Sequence, residues 1–169
     1  MGNNCAGARE SLHNGKEKTK ELYNRAAENA RLKAKAAKKK YSLTKMKLKG
    51  YKINSEEDPS ETGKVSQFEN RFALCNVGLD EFERRLTAFK EKEKTLKISP
   101  EQVIELFKDN YFLEDIVEEE SLTRKLLTHK VLETSKGVIF IPYLRLLGIM
   151  YCASTNKMAA EIFYDMVRD

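Results

Sequence analysis

The sequence predicts a mainly helical protein: a long basic helical arm followed by a helical domain whose loops join in a minimal two-stranded pairing. Three observations predict it. Residues 9 to 40 are rich in Ala, Lys, Glu and Arg, all strong helix formers. Beyond residue 65, apolar residues recur at helical spacing. β-branched hydrophobes bounded by turn residues occur at two short places, around Ile98 and around Ile139. The expected organisation is an arm over 1–53, an acidic linker over 54–64 and a folded domain over 65–169.

Charge divides the chain in the same way. Residues 1–52 hold fifteen basic and four acidic side chains, giving +11, and the remainder holds sixteen basic and twenty-two acidic ones, giving −6. A net charge of +5 therefore conceals two regions of opposite sign. With charged residues at 34% and no run of about 18 apolar residues, a membrane-spanning helix is not expected. The densest apolar stretch, GVIFIPYLRLLGIMYCA, is broken by Pro142 and Arg145. The first residues lack the apolar segment of a secretory signal, so a cytosolic setting is expected. Cys75 and Cys152 lie among apolar neighbours, and the three cysteines show no spacing for disulfides or zinc.

In the arm, Leu22, Ala26, Ala30 and Ala34 fall at four-residue spacing, with Tyr23, Ala27, Ala37 and Tyr41 near the same face. This stripe is mostly methyl groups. It buries too little apolar surface to drive folding alone, so an extended solvated helix is expected. Its C-terminal part is a block of cations with no acid: Arg31, Lys33, Lys35, Lys38, Lys39, Lys40, Lys45, Lys47, Lys49 and Lys52. Such a block suits an anionic membrane surface or an acidic protein partner such as a microtubule, and nucleic acid is the less expected target.

The opening MGNNCAG offers Gly2 as a myristate acceptor and Cys5 as a palmitate acceptor, although Ala6 stands where the usual acceptor pattern has Ser or Thr. One myristoyl chain gives an association constant on the order of 10⁴ M⁻¹, too weak for stable residence. A second acyl group, or lysines contributing about 1 kcal/mol each near an anionic leaflet, would complete the anchor. These few residues resemble the dually acylated N-termini of calcium-dependent protein kinases. None of the kinase signature follows: the chain has no Gly-rich phosphate loop, no His-Arg-Asp and no Asp-Phe-Gly.

NSEEDPSETGK, residues 54–64, reads as a flexible linker. After it, Phe68, Phe72 and Cys75 share one helical face, and Leu79, Phe82, Leu86 and Phe89 share another. Asp80 with Glu83, and Ser99 with Pro100 and Gln102, have the spacing of capping boxes, so helix starts are expected near Asp80 and Pro100.

Two segments, EKEKTLKISPEQ and LETSKGVIFIPY, share one grammar: a loop, a β-branched hydrophobe, then a helix. Helix, loop, short strand and helix, occurring twice between about residues 79 and 152, resembles a pair of EF-hands. The resemblance implies that Ile98 and Ile139 pair across the two loops, and that Gly137 supplies the sharp turn at the sixth loop position. It does not carry over to the ion. A calcium loop needs oxygen ligands at positions 1, 3, 5 and 12. In the second loop those positions hold Leu132, Thr134, Lys136 and Tyr143. In the first they hold Glu91, Glu93, Thr95 and Gln102, with Leu96 at position six. No calcium and no other cofactor is expected.

Near the end, Met158, Ile162, Phe163 and Met166 form an apolar helical face, expected to fill a groove of its own domain or to join a partner. Catalytic arrangements are absent from the pattern. His13 and His129 lie in different regions, and Glu118, Glu119 and Glu120 are consecutive, so they diverge around a helix. The expected function is a non-catalytic adaptor, anchored to the cytoplasmic face of a membrane at a ciliary or cortical location and bound to a protein partner. The alternatives are a structural subunit of a ciliary or cytoskeletal assembly and a calcium-sensor or light-chain-like regulator.

Overall fold

Helix formers without an interior Pro or Gly-rich break let the first helix run far. The computed structural model describes residues 5–51, 72–134 and 137–168, with side chains from residue 20 onward. Helix α1 spans Cys5–Leu48 and ends where Gly50 adopts a positive φ of 75°. Glycine carries no Cβ penalty there, and the left-handed turn stops the helix. Phe68, the 54–64 linker, Gly2 and Lys52 lie outside the described residues, as does the side chain of Cys5.

The chain forms two compact units, Met1–Tyr41 and Ser42–Asp169. The sequence boundary at residue 53 is later than this division because the end of α1 contributes to the second unit. Met46 and Tyr51 are buried with Ala153, against Leu43, Phe112 and Met158.

In the second unit, Phe72 and Cys75 do not share a helical face, as their spacing suggested. A 3-10 turn over Ala73–Asn76 intervenes, and it buries Leu74. Helix α2, Leu79–Glu93, then begins at an N-cap Gly78 that has no capping side chain. The expected capping box of Asp80 and Glu83 does not form, because the helix starts two residues earlier and Asp80 lies inside its first turn, where it accepts from the Glu81 N–H. Asp80 accepts from Lys49, and Glu83 pairs with Arg145. Lys94, in the left-handed region at φ 51°, closes α2. The second expected box is present: the Ser99 hydroxyl accepts from the Gln102 N–H, and the Gln102 carbonyl accepts from the Ser99 N–H. Helix α3, Pro100–Phe107, starts on it.

The acidic stretch that follows is not one element. It folds as a 3-10 turn Glu114–Val117 and a short helix α4, Leu122–Leu127, capped by Ser121. His129 is not a helix residue. It caps a 3-10 turn over Lys130–Leu132, where its Nδ1 accepts from the Val131 N–H.

The sheet has three antiparallel strands, ordered β1-β3-β2: Lys97–Ile98, Val138–Phe140 and Glu133–Thr134. Sequence spacing suggested only two. The third strand arises because Gly137, at φ 68°, folds Glu133–Thr134 back on Val138–Phe140. Helices α5, Ile141–Tyr151, and α6, Asn156–Arg168, complete the unit.

The core lies between α2, α3 and α5. Phe82 and Phe107 stack with ring centroids 4.8 Å apart, and both are fully buried. Ile98, Val103, Leu113, Ile116, Leu127, Ile139 and Leu144 surround them. At the opposite end from the sheet, Gly78 and Ala153 form a parallel bridge, with Leu79 N donating to Ala153 O and Ala153 N to Val77 O, both at 2.9 Å. This bridge ties the start of α2 to the end of α5, so helices distant in sequence are clamped at both ends.

Candidate binding surfaces

The cations of the arm do not form one equivalent set. Lys33, Lys38, Lys40, Lys45 and Lys47 are exposed on α1, and Lys35 and Lys39 are half-buried. Lys49 follows the helix and is held in place: its Nζ donates to Asp80 Oδ2 at 2.9 Å and lies 5.5 Å from the Tyr51 ring centroid. The hydrogen bond to Asp80 and then its charge raise the Lys49 pKa. Burial alone would raise Asp80. The Lys49 ammonium and the Glu81 N–H outweigh it and hold the Asp80 carboxyl below its usual range. The Tyr51 hydroxyl is buried beside this pair without reaching hydrogen-bond geometry, and burial pushes its pKa up. Sequence reasoning grouped Lys49 with the surface cations. Its ion pair depends on a residue beyond the linker, so no local pattern could reveal it.

These residues border a cleft of about 380 Å³ in the second unit, lined in part by Lys45, Lys49, Tyr51, Asp80, Arg85 and Tyr111. Arg85 is fixed by Glu81 at 2.8 Å and by the Leu106 carbonyl at 2.7 Å. Most of the charge lining the cleft is thereby neutralised within the protein. Nothing in the sequence spacing announced this cleft, since α1, α2 and the turn after α3 supply it together.

At the loops, Ile98 and Ile139 are direct antiparallel partners, and Lys97 faces Phe140. Several oxygens near the possible ion positions have partners within the protein. Thr95 Oγ1 accepts from Lys97 N, Gln102 caps its own helix, and Thr134 Oγ1 donates to the Val138 carbonyl. Glu93 lies 3.4 Å from Lys92. Among the described residues, no three His, Cys, Asp or Glu side chains gather as metal ligands.

On α6, Met158 and Ile162 pack against the core. Phe163, expected on the same face, is 46% exposed, and Met166 is half-buried. The advance of about 100° per residue turns Phe163 away from the line through Met158 and Ile162. It joins Tyr164 and Val167 on the exposed side. The helix therefore docks on its own unit by one edge only.

Among the described residues, no helix is long and apolar enough to cross a membrane. The chain matches no protein-family model, no curated protein and no solved structure.

Proposed function

We propose that this protein is a non-catalytic adaptor, anchored at the cytoplasmic face of a membrane by acyl chains on Gly2 and Cys5 and by the cations of α1. In this reading the folded unit is an EF-hand-like pair without ion cages that docks a protein partner. The observation that carries it is the charge division: ten basic residues and no acidic one from Arg31 to Lys52, most of the described ones exposed on one helix. Cations so displayed each contribute about 1 kcal/mol at an anionic leaflet. Their sum is comparable to the contribution of a single acyl chain.

The EF-hand part of the reading is supported by the twofold helix, loop, strand and helix order and by the Ile98 and Ile139 pairing. The positive φ of Gly137 at the sixth position of the second loop adds to it. In that loop the β2 and β3 ladder takes the backbone where an ion-binding loop would wrap its cation. Such a domain holds its shape without calcium.

Membrane fractionation tests the proposal. Gly2→Ala is expected to release the protein from the pelleted membrane, with a further loss when Lys33, Lys38, Lys40, Lys45 and Lys47 are changed to Gln. Unchanged pelleting of Gly2→Ala, or an intact mass from native cells without acyl additions, overturns the anchor. Pelleting that vanishes in moderate salt, with retention on microtubules, favours the cytoskeletal alternative instead.

A further inference from the structure

Helix α1 carries a regular seam that its cationic block conceals. Tyr23, Ala27, Ala30, Ala34, Ala37 and Tyr41 alternate at spacings of four and three. Seven residues return to within about 20° of the same direction on a helix, so these side chains share one face. All are exposed: Tyr23 is 75% and Tyr41 72% accessible. Spacing of this kind is the signature of a helix that packs on another helix.

The flanks of the seam are equally regular. Arg31 and Lys38 border it on one side and Lys33 and Lys40 on the other, each pair at seven-residue spacing. These are the positions that face a partner's flanks in a helix pair, and from Arg31 to Lys40 they hold no acid. A second copy of α1, parallel or antiparallel, would set these cationic positions against one another. Self-pairing is therefore disfavoured, and a helix with acidic flanks is selected.

The seam also discriminates between a helix and a bilayer. In-plane membrane helices bury a broad face of bulky apolar residues. Here the middle of the seam is four alanines, each offering one methyl group. Such a surface inserts weakly but lets a second backbone approach closely.

We propose that α1 binds an acidic amphipathic helix of another protein along the face running from Tyr23 to Tyr41. The proposal goes beyond the reading above, in which the cations of α1 face an anionic leaflet and the folded unit docks the partner, and it is independent of acylation.

The test uses the full chain carrying Gly2→Ala, so that no acyl group contributes. The probe is a labelled synthetic peptide of about four heptads with Leu at the seam positions and Glu at the flanks. Its controls are a scrambled peptide of identical composition and phosphatidylserine vesicles. At about 150 mM salt the patterned peptide is expected to bind roughly tenfold or more tightly than the scrambled one. The double variant Ala34→Gln, Tyr41→Ser is expected to abolish that advantage. Ala36→Gln, the same chemistry off the seam, should retain it, and circular dichroism of both variants checks that the helix persists. Equal binding of the two peptides overturns the proposal, as does an advantage that survives the seam substitutions. Seam substitutions that weaken vesicle binding while leaving peptide binding unchanged assign the face to lipid and also overturn it. Failure of Gly2→Ala to release membranes would refute the acyl anchor and leave the peptide result standing.

Discussion

Ile98 and Ile139 sit opposite each other in antiparallel register, both buried, and through them the two helix pairs of the folded unit share one core. Both side chains belong to the buried core cluster of the unit. Ile98→Ala and Ile139→Ala are each expected to cost about 2–5 kcal/mol. Because the two residues are in contact, the double variant should cost less than the sum of the single ones. Urea unfolding with an unchanged slope checks this. Losses under about 0.5 kcal/mol at both sites would mean that the pairing carries little of the stability.

Gly148 lies where α5 crosses α2. A Cβ there would fall 2.6 Å from Phe82 Cδ1 and 2.8 Å from Cε1. The Phe82 ring is buried and stacked on Phe107, so it has no room to withdraw. Replacing Gly by Ala normally favours a helix by about 1 kcal/mol. Here Gly148→Ala is expected to destabilise by about 1–3 kcal/mol, because overpacking exceeds the propensity gain. A raised melting temperature for this variant would contradict the close crossing.

Glu83 is nearly buried, and its Oε2 accepts from Arg145 Nε at 2.9 Å. Its Oε1 has no hydrogen-bond partner among the described residues. Burial raises the Glu83 pKa, and the Arg145 charge only partly opposes the rise. A carboxyl whose folded pKa exceeds its unfolded value binds more protons when folded, so its ionisation opposes folding at neutral pH. That penalty is relieved as pH falls through the raised value toward the ordinary carboxylate range. The stability of the native chain relative to Glu83→Gln should therefore increase as pH is lowered from 7 to about 4. Melting curves of the two proteins across this range test the sign, and a constant difference would show that Glu83 titrates normally.

Ser99 closes the capping box at the start of α3. Removing its hydroxyl leaves the Gln102 N–H without its side-chain acceptor. Ser99→Ala is expected to cost about 1 kcal/mol, while Ser99→Asp should retain most of the stability. Equal loss in both variants would argue against the cap.

The legible parts of the fold were those set by neighbours in sequence. Ser99, Pro100 and Gln102 marked a helix start because all three lie within one turn of it. Gly137 marked a sharp turn because few other residues tolerate a positive φ. Asp80 and Glu83 had an equally good local pattern and misled, since packing starts the helix at Leu79 with Gly78 as its N-cap, which leaves Asp80 inside the first turn and Glu83 on Arg145. Met158, Ile162, Phe163 and Met166 shared a helical spacing, and only the packing shows that Met158 and Ile162 meet the core while Phe163 is exposed.

Residue type and the period of a helix suffice for the helical character, the charge division and the cationic rows of α1. Tertiary structure alone decided that Met46 and Tyr51 belong to the second unit, that Lys49 is an internal ion-pair partner, and that Glu133–Thr134 forms a third strand. Each of those outcomes depends on groups far apart along the chain competing for the same partner. That competition is resolved only when the core closes.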